Sequence, residues 1–491
     1  MKKTPGLADR AGILVLGSSA QSVCVTLLLV GLTRLFDKSH YGQYRQVWLV
    51  YNLATPVLVL GVPASMLYFL PRLEPGAWRG FLRRTALLLT GLGACLSAGL
   101  WFGAPLVGSA FHDPRLVPLV RVFAPYPVLA FPAVHISQVL VARGSHHLAA
   151  AYAAGAGVFQ LAAVLGAAWV THSVPFSLGA AVLAALLPLF VALILVERSP
   201  AAPGARQSPS LREHLLYSLP LAFSGLVLPY GRQIGRLAIS LVYPAGDFAQ
   251  YDVAAFEIPF VSLFAGSIMT TLLPVFSRLY YEGERNQLMR LWHESIRKLS
   301  LLLFPLFVVL FVLADQVVVL LFSEKYAASA PIFRIFLLVL PLRVTIYSGV
   351  LQATGKTYVL SIGAIGFLLG CTGLSLALLG PLGIAGPAIA YVVSMYGLAA
   401  YFLLQVNRVV GVGVGHVFPW GEVNRCFLVA AVLGVSLYPL TRLSLHPALI
   451  IAVGSSAYLG IYAWTLFRCR LVNPSDIELL KRWATLSAFT R

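Results

Sequence analysis

The sequence predicts an all-α polytopic membrane protein of about 14 transmembrane helices, with two six-helix lobes related by a pseudo-two-fold axis along the membrane normal and two extra C-terminal helices. Three observations carry this expectation. The 491 residues are 59% hydrophobic and only 11% charged, with a mean hydropathy of +0.85, too apolar for a soluble globule of ordinary composition. Apolar runs of about 20 residues, the length a helix needs to cross roughly 30 Å of hydrocarbon, recur along the whole chain. Short patterns from the first half return in the second.

The apolar runs fall near residues 11–32, 46–69, 85–107, 116–141, 147–170 and 175–196, then 215–242, 248–275, 298–322, 327–353, 357–379, 384–406, 424–440 and 446–467. A polar, Pro/Ser-rich connector, "ERSPAAPGARQSPSLREH" from Glu197 to His214, separates the two series. The chain therefore divides into a first lobe at 1–196, a cytoplasmic linker at 197–214, a second lobe at 215–407 and a segment at 408–491 holding the last two spans and a cytoplasmic tail. The first run follows Lys2, Lys3 and Arg10 as a secretory signal would. It is too long for the apolar core of a signal and lacks a small-residue cleavage pattern, so it reads as an uncleaved span.

Most of the 35 Lys and Arg residues collect in alternate loops, and short cytoplasmic loops are the ones that accumulate basic residues. Both termini are expected on the cytoplasmic side. The rich loops are Pro71 to Arg84, the mid-chain connector, Ser277 to Lys298 and the tail after Phe467. The net charge of +18 is thus a topology signal and an attraction to anionic lipid heads, and calls for no nucleic acid partner.

An internal repeat supports the two-lobe plan. "SQVLVARGSHHL" at Ser137 aligns with "SGVLQATGKTYVL" at Ser348, and "RVF" at Arg121 matches "RIF" at Arg334. "YGQYRQV" at Tyr41 answers "FAQYDVA" at Phe248, and "LPRL" ending at Leu73 answers "FSRL" ending at Leu279. An even number of spans per repeat brings the second half in from the same side as the first. Transporters built on such a plan bind cargo between lobes and rock to open alternately on each side.

Motifs for chemistry are scarce. "GVLQATGKTY" contains Gly-Lys-Thr, but a phosphate-binding loop needs a glycine five residues before Gly355, where Val350 stands. "GVGVGHVF" from Gly411 is glycine-rich with no strand before it. No outer loop is long enough for a catalytic domain, so the reading is a transporter and not an enzyme. Cys24, Cys95, Cys371, Cys426 and Cys469 stand singly, without metal or redox spacing. No cofactor or metal is expected.

Intramembrane charge is the informative feature. Arg121, Arg232, Arg236, Arg334 and Arg343 lie within spans, as do His135, Asp252, Glu257 and Asp315, while Arg34 and Arg45 flank the loop between the first two spans. A central arginine costs roughly 2.5–3.5 kcal/mol even on the lenient insertion scale, so such residues face protein or water. Two readings compete: these arginines line a net-positive cavity that binds an anion, or, near span ends, they snorkel to the interface. Arg232 and Arg236 share a helix face, and Glu257 on the next span is placed to neutralise one of them. At Arg236 a structural ion pair and a direct ligand are both open. Gly231 and Gly235 form a small-residue step interleaved with these arginines, a pattern of close helix packing. Prolines inside spans, among them Pro63, Pro127, Pro132, Pro229, Pro259, Pro305 and Pro341, bend helices and suit a rocking carrier.

"LTRLFDKSHYGQYRQVWLVYNLATPVLVLGVPASMLYFLPR" (Leu32 to Arg72), "RLAISLVYPAGDFAQYDVAAFEIPF" (Arg236 to Phe260) and "LQATGKTYVLSIGAIGFLLGCTGLSLALLGPLGIAGPAIA" (Leu351 to Ala390) resemble the polysaccharide (O-antigen/oligosaccharide) flippases of the multidrug/oligosaccharidyl-lipid/polysaccharide, or MATE-like, superfamily. The resemblance implies a bacterial inner-membrane carrier that moves polyprenyl-pyrophosphate-linked oligosaccharide to the outer leaflet, with proton or sodium coupling and polysaccharide polymerase machinery as a partner. Family members often show Asp-Arg where this chain has Gly235 and Arg236. Arginine forks grip pyrophosphate well, so Arg232, Arg236 and Arg343, then Arg121, Arg334, Arg45 and Arg34, are the expected substrate contacts. Asp252, Glu257, Asp315 and His135 are the expected coupling groups. The two extra spans also resemble those of lipid II flippases, where by analogy they offer a groove for the lipid tail. A lipid II-type flippase, a cation-coupled multidrug exporter and a scaffold in a synthesis complex are the alternatives; the arginines weigh against a cationic cargo.

Overall fold

The computed structural model describes residues 7–201, 209–258 and 272–468, apart from the single positions 60, 346, 412, 414 and 444. Among the described residues every regular element is a helix. The first half contains α1 (Leu7–Leu35), α2 (Lys38–Leu58), α3 (Val62–Phe69), α4 (Trp78–Ala110), α5 (Leu116–Phe123), α6 (Tyr126–Ala130), α7 (Ile136–Ala142), α8 (His146–Thr171), α9 (Val174–Ala184) and α10 (Leu186–Glu197). The second contains α11 (Leu211–Val242), α12 (Ala245–Ala254), α13, described over 272–281, α14 (Arg285–Val312), α15 (Ala314–Phe322), α16 (Ala330–Leu337), α17 (Tyr347–Ala353), α18 (Thr357–Leu382), α19 (Ala385–Val410), α20 (Trp420–Gly434) and α21 (Pro447–Arg468).

Among the described residues, 11 helical stretches are long and apolar enough to cross a membrane. A twelfth joins them if Glu324–Leu337 and Leu340–Ala353, bent by 41°, form one span. Of the two remaining spans expected from the sequence, 215–242 is the single helix α11. The other, 248–275, has residues 259–271 outside the described part, as do the linker at 202–208, Lys2, Lys3 and the tail with Cys469. The expectation of about 14 spans is compatible with this count.

Local chemistry explains where helices start and break. Asp37 caps α2 by accepting from the His40 amide at 2.8 Å, and Ser210 with Glu213 forms a capping box on α11. The second span breaks between α2 and α3 at Gly61, whose φ of 68° costs a glycine nothing; Val62 and Pro63 then open α3. The fourth span splits into α5, α6 and α7 around Pro125, Pro127 and Pro132, because each proline removes a backbone donor.

One expected loop is largely helical. The basic stretch from Ser277 to Lys298 contains the end of α13 and almost the first four turns of α14. Leu288, Met289, Trp292, Ile296, Leu299 and Leu303 recur at helical spacing and are all buried, so an apolar stripe carries the helix out past the span.

Contacts divide the chain into two compact units, Met1–Leu263 with Leu368–Tyr391, and Phe264–Phe367 with Val392–Arg491. Within the first, connections alternate between ends. The start of α2 binds the α4–α5 connection, where Gln43 Nε2 donates to Asp113 at 2.6 Å. At the other end Arg79 Nε donates to the Ser199 carbonyl at 3.0 Å and Arg143 to the Ser199 hydroxyl, gathering the starts of α4 and α8 beside the end of α10. In the second unit α14 packs along α20, with Trp292 Nε1 donating to Thr345 at 2.9 Å.

Candidate functional site

The site grows from one carboxylate, Asp252 on α12, which is 4% exposed. Arg45 on α2 meets it with a two-pronged fork: Nε donates to Oδ2 at 2.6 Å and Nη2 to Oδ1 at 3.1 Å. Arg236 on α11 approaches from the other side, with Nε 2.8 Å from Oδ1. Tyr41 adds a hydroxyl donor to Oδ2 at 3.3 Å. One position along α2, Gln46 Nε2 donates to Ser240 on α11 at 2.8 Å. Three helices are thus tied together by polar side chains in a part of the chain where a polar atom has little water to turn to.

Two glycines make this approach possible. A Cβ on Gly42 would stand 1.9 Å from the Ala245 carbonyl oxygen, so α2 runs directly against the start of α12. A Cβ on Gly235 would stand 2.2 Å from the Tyr251 hydroxyl and 3.4 Å from Pro387 Cβ. The space a side chain at position 235 would need is therefore filled by the tyrosine next to Asp252. The carboxylate facing Arg236 comes from α12.

Arg232, one turn before Arg236, pairs with Glu257 at 2.6 Å and donates from Nε to the Tyr391 hydroxyl at 3.1 Å, with its guanidinium 5.4 Å from that ring's centre. Its side chain is 20% exposed and that of Glu257 47%. Arg236 thus makes an ion pair with Asp252, while Glu257 pairs with Arg232. Around Arg45, Arg232 and Arg236, three guanidiniums face two carboxylates.

The other predicted residues are spread out. Arg334 pairs with Asp315 at 2.5 Å in the second unit and donates to the Phe311 carbonyl at 3.1 Å. Arg121, its counterpart in the first repeat, is exposed at the end of α5, and Arg34 is exposed at the end of α1. Arg343 is half-buried in the one-turn helix Leu340–Val344 of the second unit. His135, just before α7, is 1% exposed. Among the described residues no three His, Cys, Asp or Glu side chains gather as a metal site.

Several partners escaped the sequence reading. Gln46, Tyr251 and Tyr391 belong to apolar-looking spans and Tyr41 to the loop before the second, and only the dense run "HYGQYRQ" signals a polar helix face. At the other end of the first unit, Ser65 on α3 hydrogen-bonds the buried His214 of α11 at 2.7 Å. Tyr68 stacks on Tyr217 there with centroids 4.1 Å apart.

Comparison with known proteins bears on this arrangement. The model of one family, polysaccharide biosynthesis protein, matches residues 31–331, more than half of the chain and the whole of α2, α11 and α12. The chain belongs to the polysaccharide biosynthesis protein family. No curated protein matches significantly. Among solved structures, this family member is similar to the lipid II flippase MurJ in an inward closed conformation, with a TM-score of 0.72 at 15% identity over 93% of this chain and 100% of that one. It is also similar to an inward-facing multidrug resistance MATE family transporter of the MOP superfamily, with a TM-score of 0.61 at 17% identity, covering 80% and 95% of the two chains. A third is a MOP superfamily transporter from Pyrococcus furiosus described as having a binding pocket of reverse polarity, with a TM-score of 0.57 at 16% identity over 82% and 95%. At these identities the likeness is one of fold. The resemblance read from the sequence is confirmed, and the fold is that of MurJ and the MATE transporters.

Proposed function

We propose that this member of the polysaccharide biosynthesis protein family is a flippase that carries polyprenyl-pyrophosphate-linked oligosaccharide from the cytoplasmic to the outer leaflet of a bacterial inner membrane by alternating access. The observation that carries the reading is the cationic excess at Arg45, Arg232 and Arg236. A diphosphate is a strong ligand for planar guanidinium forks, whereas a cationic drug is repelled by the same groups. The sugars occupy water and the polyprenyl tail stays in lipid. Differential affinity for the diphosphate in the two states, with no hydrolysis, biases the cycle. Arg343, Arg334, Arg121 and Arg34 are proposed as additional basic contacts. Asp252, Glu257, Asp315 and His135 are proposed as the groups through which a proton or sodium gradient acts.

A second reading, transport of a lipid II-type precursor, is favoured by the extent of the MurJ likeness, which covers 93% of this chain and all of that one. Both readings share the polyprenyl diphosphate. Leaflet-resolved transport in proteoliposomes separates them: an O-antigen-type lipid-linked oligosaccharide, lipid II and a cationic dye are offered in parallel. Movement of the oligosaccharide supports the proposal; movement of lipid II alone selects the second reading; movement of the dye alone rejects both.

A further inference from the structure

Arg45 and Asp252 are 207 residues apart, the spacing at which "YGQYRQV" and "FAQYDVA" align, so they are the same position in the two repeats. A residue that meets its own repeat equivalent lies on or beside the axis relating the repeats, as in a two-fold interface. Identical charges there would repel. The repeats have diverged to opposite charges, and the pair fastens α2 to α12 beside Gly42 and Ala245.

The third member does not fit a purely structural pair. Arg236 Nε is 2.8 Å from Asp252 Oδ1, yet it is buried without a well-directed hydrogen bond. Among the described residues its Nη1 reaches Gln233 Oε1, at 3.4 Å. One carboxylate thus serves two guanidiniums and saturates only Arg45. An anion with more oxygens and more charge than a carboxylate would satisfy both forks together.

We propose that Asp252 is the resident anion of a phosphate-binding site formed by Arg45 and Arg236, and that the diphosphate of the cargo displaces it. This deepens the reading of the chain as a carrier of lipid-linked diphosphate and rests on it. Asp252 stripped of both guanidiniums is an uncompensated buried charge. It stays displaced only when α12 moves off α2 and water enters. Cargo binding and release of this end of the bundle are thereby one event, and the Gln46–Ser240 hydrogen bond parts with them. The exchange breaks no covalent bond.

The test uses the full-length protein in detergent and inorganic pyrophosphate as the probe. Asp252→Asn, which keeps the shape of the side chain and removes the competing charge, binds pyrophosphate at least tenfold more tightly than wild type. The gain disappears in Asp252→Asn combined with Arg45→Gln or with Arg236→Gln. Hydrogen exchange on the wild-type chain gives a readout that needs no variant: pyrophosphate accelerates exchange of amides in 38–47 and 245–254, where simple stabilising binding would slow it. Unchanged or weaker binding by a folded Asp252→Asn chain, or slower exchange in both segments, overturns the proposal. If the oligosaccharide is transported while these results are negative, the displacement alone is wrong. If they are positive and no glycolipid moves, the anion site stands and the cargo assignment falls.

Discussion

Arg45 and Asp252, equivalent positions of an internal repeat, grip one another through two hydrogen bonds of 2.6 and 3.1 Å. The Asp252 side chain is 2% exposed and that of Arg45 16%, so little water screens the pair. Without Arg45 the buried Asp252 is left to the Arg236 guanidinium and the Tyr41 hydroxyl. Arg45→Ala is expected to destabilise the chain by about 3 kcal/mol, read as a large fall in melting temperature in detergent. Arg45→Lys, which keeps the charge opposite Asp252, recovers part of that loss. Equal melting of Arg45→Ala and wild type would show that the pair carries no stability.

Gly235 is constrained by the Tyr251 hydroxyl, 2.2 Å from the position of a Cβ. Gly235→Ala is expected to cost about 1–3 kcal/mol through overpacking. Tyr251→Phe in the same chain removes the clashing oxygen and relieves part of that cost. A double-mutant cycle in thermal melting measures this coupling; strictly additive effects would contradict the contact.

Arg232 differs from Arg236 in the company it keeps, because its partner Glu257 is about half exposed. Arg232→Ala is expected to cost about 1 kcal/mol of stability or less while it lowers glycolipid transport in part. A loss of folded protein that matches the loss of transport would make Arg232 structural.

Asp113, in the connection between α4 and α5, gives a pH prediction. Burial pushes its carboxyl upward, but the Arg115 side chain, the Gln43 amide and the Arg115 backbone outweigh this and hold it below the ordinary carboxylate range. A depressed folded-state value means stability that is fully present above the unfolded pKa near 3.9 and is lost as pH falls through the folded value. Asp113→Asn is therefore expected to melt lower than wild type at pH 7, with the gap closing below about pH 4. A gap that is constant with pH would show that the ionised carboxylate is not the source.

Much of this architecture is legible in the sequence because membrane spans are written in composition. The length and apolarity of 85–107 or 147–170 leave little choice but a helix, and the intramembrane arginines stand out against that background. Which acid meets which arginine is not written there. Span length says nothing of rotation about a helix axis, so from sequence Glu257 is a candidate partner for either arginine and Asp252 has no evident one. The repeat makes Arg45 and Asp252 equivalent positions in the sequence; that the two also meet is visible only in the structure. The helical extension at 285–297 was masked by its charge, since Arg285, Arg290 and Arg297 obscure the apolar stripe of Leu288, Trp292 and Ile296.

The guanidiniums around Asp252 are proposed to handle an anionic lipid-linked cargo. The most direct measurement is leaflet-resolved movement of a polyprenyl-pyrophosphate oligosaccharide in proteoliposomes containing wild type, Arg232→Ala, Arg236→Ala and the double variant at matched folded protein. The account predicts movement by wild type, a partial loss in each single variant and abolition in the double, with no movement of a cationic dye. Undiminished oligosaccharide movement by the double variant would contradict it.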